Sequence, residues 1–108
     1  MPNTTSFQER VYATLRTVPR GTVTTYADLA AATGSSARAI GQAMRHNPYA
    51  PRVPCHRVVA SDGRIGGFDG QTRGKKIAEK ILLLKKEGVT VENGKIADFG
   101  KVRYRWRR

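Results

Sequence analysis

TYADLAAATGSSARAIGQAMRHNP, residues 25–48, reads as two short helices around a glycine turn. Thr25 and Asp28 have the spacing of a capping box, with Thr25 as N-cap and Asp28 at N3, and the helix they open ends at Gly34. Ser35 or Ser36 caps a second helix running to about His46, where Asn47-Pro48 stops it. Two short helices joined by a tight turn containing glycine form a helix-turn-helix pattern. The second helix has two distinct faces. Ile40, Ala43 and Met44 make an apolar stripe, while Arg38, Gln42 and Arg45 stand at i, i+4 and i+7 on another side. A row of that kind is ordinarily a solvated basic face. In a chain with 20 Lys+Arg against 8 Asp+Glu and a formal net charge of +12, contact with nucleic acid is the better reading.

Outward from this motif, the 108 residues suggest one domain, 1–108, that is mainly α with short strands and resembles a winged helix around its helix-turn-helix. Phe7, Val11, Tyr12, Leu15 and Val18 recur at helical spacing before Pro19-Arg20-Gly21 stops the run. Val23-Thr24-Thr25 reads as a short extended piece, and HRVVA, residues 56–60, as a strand followed by a turn at Ser61-Asp62-Gly63. RIGGFDG, residues 64–70, is a glycine-rich loop. Ile77, Ala78, Ile81, Leu82 and Leu84 predict an amphipathic helix ending at Glu87-Gly88, and Asn93-Gly94 predicts a hairpin turn. The tail KVRYRWRR alternates, which as a strand puts Lys101, Arg103, Arg105 and Arg107 opposite Val102, Tyr104 and Trp106. A disordered basic tail explains the same letters equally well. No apolar run is long enough for a transmembrane helix, no targeting pattern opens the chain, and one cysteine allows no internal disulfide, so the cytosol or another reducing compartment is the expected setting.

RVPCHRVVASDG, residues 52–63, holds the chain's one cysteine. A single cysteine makes no internal disulfide, and it lacks the partners of a zinc site, so no metal is expected. Composition alone favours a buried small hydrophobe. Its neighbours, Pro54 before it and His56 and Arg57 after it, keep a nucleophile open as the other reading, although Cys-His adjacency by itself is weak evidence. A thiol becomes useful when its pKa falls from about 8.5, as happens beside cations or imidazole. His56 follows Cys55 directly, and a histidine backed by a carboxylate is the usual way to take such a proton. Adjacent residues of a strand face opposite ways, however, so Cys55 and His56 cooperate only on an irregular backbone or through a water.

PCHRVV, preceded by ARAIGQAMRHNP and followed by a GGF loop, closely resembles the C-terminal domain of the O6-alkylguanine-DNA alkyltransferases. The resemblance runs from the first helix through LLLKKEG. It implies irreversible transfer of an alkyl group from guanine O6, in double-stranded DNA, to the protein's own Cys55, without a cofactor. It further implies that His56 deprotonates Cys55 through a water, that Glu87 orients His56, and that Asn47 ties the recognition helix to the cysteine segment. On the DNA side, Arg38 matches the arginine that replaces the flipped nucleotide, and Tyr26 the tyrosine that crowds the target phosphate. The recognition helix would enter the minor groove, with Gln42 and Arg45 beside Arg38. Val53, Pro54, Gly67 and Phe68 would line the guanine pocket, where Phe68 keeps the family's ring without a hydroxyl. Asp69 has no assigned role. Extruding the target is physically required, since a base atom inside a duplex cannot meet a protein thiol.

The usual family member carries an additional N-terminal domain, and this chain is expected to lack a counterpart of it. Its compact length and Trp-containing tail resemble the alkyltransferase-like proteins, which bind O6-alkylguanine, replace the cysteine, commonly with tryptophan, and recruit nucleotide excision repair. The expected protein is a monomeric DNA-repair transferase in the cytoplasm or a nucleus. The alternative is a non-catalytic sensor with a repair-protein partner.

Overall fold

The computed structural model describes residues 4–49, 52–67 and 74–106. Helix α1 (Ser6–Leu15) starts at a full capping box, Thr5 accepting from the Gln8 amide while the Gln8 side chain accepts from the Thr5 amide. The sequence reading missed this cap. Strand β1 (Thr24–Thr25) leads into α2 (Tyr26–Thr33), which Gly34 closes at φ 69°, a conformation that disfavours a side chain. Ser36 caps α3 (Ala37–Arg45), so of the two candidate caps the structure selects the second. These helices form the expected helix-turn-helix, and the chain is mainly helical with short strands.

The predicted capping box of α2 is only half made. Thr25 accepts from the Asp28 amide, but the Asp28 carboxylate turns away to Arg103, which grips both of its oxygens at 2.8 and 3.0 Å. A charged bidentate fork outcompetes a reach back to one backbone amide.

After α3 the chain passes Pro48 and makes a 3-10 turn at Cys55–Arg57 before β2 (Val58–Val59), which pairs in parallel with β1. The strand read over residues 56–60 is therefore confined to its second half. Because successive strand residues face opposite ways, Val58 enters a core built on α1, α2 and α3, whereas Val59 enters a second one with Val23, Leu84, Val89 and Ile96. Helix α4 (Lys75–Lys86) covers this second core, next to the antiparallel hairpin of β3 (Val91–Glu92) and β4 (Lys95–Ile96) turned at Asn93-Gly94 as expected.

Two expectations need correction. Helix α4 is rotated relative to the apolar face read from sequence. Leu82 is 52% exposed and Ala78 is exposed, while Lys80 is completely buried beside Leu84. The buried lysine turns the helix because its ammonium finds three carbonyls there. The C-terminal tail is not a strand with four cations on one face. Lys101 and Val102 end a short helix, α5 (Phe99–Val102), and Arg103 makes a single parallel bridge to Val23. Tyr104 and Trp106, ring centroids 5.3 Å apart and edge to face, then pack against the first core. The bidentate pull of Asp28 on Arg103 and the anchoring of Trp106 Nε1 on Thr17 Oγ1 at 2.7 Å hold the tail against the fold. Arg107 lies outside the described residues. Among the described residues, no helix is long and apolar enough to cross a membrane.

Candidate active site and DNA-facing surface

Cys55 belongs to the first core, 7% exposed, on the 3-10 turn that leads into β2. Its amide donates to Val53 O at 2.8 Å, and Arg57 N closes the turn on Pro54 O at 2.9 Å. This is the irregular backbone that a working Cys-His neighbour pair requires. Val53 O also accepts from Asn47 Nδ2 at 3.1 Å, so the residue just past the recognition helix grips the chain two residues before the thiol. Asn47 Oδ1 in turn accepts from the Tyr49 amide, which terminates the helix. Asn47 thus serves both as helix stop and as tie. The Val53 and Pro54 side chains are buried around it.

His56 is 4% exposed, with Nε2 3.1 Å from Glu87 Oε2. An ionised carboxylate only accepts, so Nε2 carries the hydrogen and Nδ1 is left with its lone pair. Burial pushes the imidazole below its ordinary 6.5, although Glu87 works the other way. Burial would raise Glu87, but the hydrogen bonds from Arg57 and His56 together outweigh it and hold the carboxyl below its usual value. The ring is therefore a neutral base backed by an ionised partner at neutral pH.

Sequence reasoning missed Arg57 as part of this arrangement. Its Nε and Nη2 grip Glu87 at 2.9 and 2.7 Å, and Nη1 donates to Val18 O at 2.8 Å. That fork fixes the plane of the carboxylate that His56 reads. The only available signal was its place beside His56, since the 30 residues separating Arg57 from Glu87 carry no pattern.

Tyr26 opens α2, half-buried, with its hydroxyl 3.4 Å from Gly67 O. Burial pushes its phenol upward and the nearby Cys55 adds to this. Gly66 lies beside Tyr26 and Lys80, where an added Cβ would come into ordinary contact with Tyr26 Cε2 and Ala60 N at 3.4 Å and Lys80 Nζ at 3.7 Å. Its φ of 71° disfavours a side chain. On its other side this loop borders an open groove lined by Arg64, Asn93 and Lys95. Phe68 and Asp69 lie outside the described residues. Arg38, Gln42 and Arg45 are all exposed on α3, on the face away from buried Ile40, Ala43 and Met44. The tail's Arg103 is bound to Asp28, so it is not a free cation for a phosphate.

Residues 6–89 match the family model described as 6-O-methylguanine DNA methyltransferase, DNA binding domain. The methylated-DNA--protein-cysteine methyltransferase of Thermococcus kodakarensis is 51% identical over 79% of this chain and 46% of its own length. The crystal structure of the O6-methylguanine-DNA methyltransferase from Pyrococcus kodakaraensis superposes with a TM-score of 0.69 at 51% identity, over 79% of this chain and 47% of the other. S. pombe Atl1, solved with damaged DNA containing O6-carboxymethylguanine, superposes with a TM-score of 0.74 at 30% identity, over 94% of this chain and 95% of Atl1. The chain thus spans about half the length of the curated methyltransferases that it matches. With its helix-turn-helix, its PCHR segment and these likenesses together, the chain belongs to the 6-O-methylguanine DNA methyltransferase family, through that family's DNA-binding domain.

Proposed function

We propose that this protein repairs double-stranded DNA by taking the alkyl group of O6-alkylguanine irreversibly onto Cys55, residues 1–108 acting as one DNA-binding and catalytic unit. The observation that carries the reading is the buried His56, hydrogen-bonded to Glu87 on one side and adjoining Cys55 in a 3-10 turn on the other. His56 Nδ1 accepts the thiol proton, through a water. The thiolate attacks the alkyl carbon, an S–C bond forms, and the C–O6 bond breaks with its electron pair passing to O6. The guanine so released takes up one proton, so the thiol's hydrogen is balanced by the one that guanine regains. No cofactor enters this balance. Each molecule reacts once, because the thioether does not reverse. The setting is wherever chromosomal DNA lies, cytoplasm or nucleus, and a monomer suffices.

Mass spectrometry tests this directly with a duplex carrying one O6-methylguanine. The expected result is one methylene added to the Cys55 peptide, with guanine restored in the DNA. A second reading, a damage sensor that recruits a repair protein, is favoured by the near-complete mutual coverage with Atl1. Tight binding of the duplex with no change in mass would select it.

Arg38 is assigned to the gap left in the duplex by the extruded nucleotide, with Gln42 and Arg45 holding the surrounding strand and Tyr26 crowding the target's phosphate. Val53, Pro54, Gly67 and Phe68 are assigned to the guanine pocket. Unstacking costs a few kcal/mol, which a free base does not incur. Arg38→Ala should therefore slow repair of duplex DNA by about tenfold or more, yet leave the reaction with O6-benzylguanine nearly unchanged. Equal loss on both substrates would mean that the substitution damages the fold.

A further inference from the structure

Residues 91–104 follow the stretch matched by the family model, and the steps of alkyl transfer make no use of them. They nevertheless hold both walls of the assigned guanine pocket. One wall is the 65–67 loop, which leads to Phe68, and the other is Tyr26 at the start of α2. The Tyr26 hydroxyl and Gly67 O are 3.4 Å apart. Toward the loop, Ile65 N donates to Gly94 O at 2.9 Å and Ile96 N to Gly63 O at 2.8 Å, which sets Arg64 opposite Lys95 in an antiparallel bridge. Toward α2, Val102 O and the Tyr104 amide hold Val23, and the Arg103 fork holds Asp28, just past Tyr26.

Phe99 joins these two sets of contacts. Gly63 turns at φ 87° against the Phe99 ring, and an added Cβ would stand 3.0 Å from ring atoms Cγ and Cδ2. Only a glycine lets the ring come so near the backbone from which the loop departs. The same ring carries the Arg103 guanidinium, whose Cζ is 5.3 Å from the centroid. A chain of direct contacts therefore runs from Gly63 through Phe99 and Arg103 to Asp28. Any large aliphatic side chain could fill this part of the second core, but none has a π face for the guanidinium. Asp98 enters α5 at φ 53°, a conformation that non-glycine residues seldom adopt, so the backbone bears strain where it sets Phe99 in place.

We propose that Phe99 is a positioning residue for recognition of the target base: through Gly63 on one hand and Arg103 on the other, its ring sets the spacing between the 65–67 loop and Tyr26. It acts on the seating of the base and leaves the chemistry of the thiol alone. This inference rests on the proposed seating of O6-alkylguanine beside Cys55, and it holds whether the base is then dealkylated or only bound.

Phe99→Leu keeps an apolar side chain and removes the ring, whereas Phe99→Tyr keeps the ring. Two reagents separate recognition from chemistry at Cys55, O6-benzylguanine needing the pocket and iodoacetamide needing only the thiol. In Phe99→Leu the half-saturating concentration of O6-benzylguanine should rise about tenfold. The limiting rate, and the rate with iodoacetamide, should stay within about twofold of wild type. Phe99→Tyr should restore the wild-type half-saturating concentration. An unchanged value in Phe99→Leu, a loss confined to the limiting rate, a parallel loss with iodoacetamide, or a tyrosine variant as impaired as the leucine one overturns the proposal. Arg103→Gln breaks the next link of the chain, so it should give the same loss, and the double variant should lose no more than either single one. Losses that multiply would mean two separate structural effects and overturn the proposal. If wild-type protein fails to react with O6-benzylguanine, the alkyl-transfer reading fails, and binding decides. Phe99→Leu should then lower the preference for a duplex containing O6-methylguanine over an undamaged one by about tenfold, and an unchanged preference overturns the proposal. Amide exchange in Cys55→Ala protein needs no change at Phe99. The Ile65, Ile96 and Tyr104 amides should all gain protection when O6-benzylguanine binds, and a gain that stops short of Tyr104 overturns the proposal whether or not Phe99→Leu folds.

Discussion

Replacing His56 by alanine is expected to slow alkyl transfer to Cys55 by about 10²–10⁴-fold, the range for a lost general base, with duplex binding little changed. The imidazole has one nitrogen committed to Glu87, which leaves the other for the proposed role of base, and the carboxylate's hydrogen bond holds that tautomer. Glu87→Gln keeps the size but not the charge. Its amide can donate to the ring as well as accept, which lets the wrong tautomer form, and it loses the ion pair with Arg57. A slowing by about tenfold or more is expected for this variant. Reaction with O6-benzylguanine isolates the effect from DNA binding, and wild-type rates in both variants would rule out the assigned relay. The pH profile has a definite sign. Because burial holds the His56 pKa below 6.5, the neutral base persists below that pH and the transfer rate should fall only as pH drops further. In Glu87→Gln the support that the carboxylate gives the imidazolium is lost, so the acid limb should move to still lower pH.

Deleting residues 101–108 is expected to destabilise the fold by on the order of 4 kcal/mol, lowering the melting temperature by roughly 15 °C or more. Val23 is completely buried, and both of its backbone groups are satisfied by the tail, its amide by Val102 O at 2.8 Å and its carbonyl by the Tyr104 amide at 2.6 Å. Truncation leaves both without partners. It also strips Asp28 of the Arg103 fork and uncovers the core beneath Tyr104 and Trp106. The effect should therefore appear in thermal denaturation before it appears in DNA affinity. If the tail served DNA alone, the salt slope of binding would flatten and the melting temperature would hold. Arg103→Met separates the two contributions, since it removes the ion pair and keeps the backbone bonds to Val23.

Much of this protein is legible in its letters because local signals set local structure. Gly34 supplies a left-handed stop, Thr25 and Ser36 satisfy exposed helix amides, and Asn93-Gly94 supplies the two left-handed residues of a hairpin. The apolar stripe of Ile40, Ala43 and Met44 likewise fixes which side of α3 is buried, and so which side Arg38, Gln42 and Arg45 present. The PCHRVV motif singled out Cys55 and His56 through a family resemblance, and the same likeness reached across 31 residues to Glu87, which the structure places 3.1 Å from the His56 ring.

Tertiary structure alone decided the rest, and in each case the reason is a long-range electrostatic match that no periodicity records. Asp28 was read as a local cap, but the chain 75 residues later delivers an arginine fork to it. Arg57 stood out in sequence only as the residue after His56, and the return of α4 makes it the clamp on Glu87. Lys80 sits in a helix whose leucines and isoleucines announce a different buried face. A lysine is almost never fully buried, so its sequence carries no sign of burial. Only when β2 and the 65–67 loop bring three carbonyls to one point does a buried ammonium become favourable there.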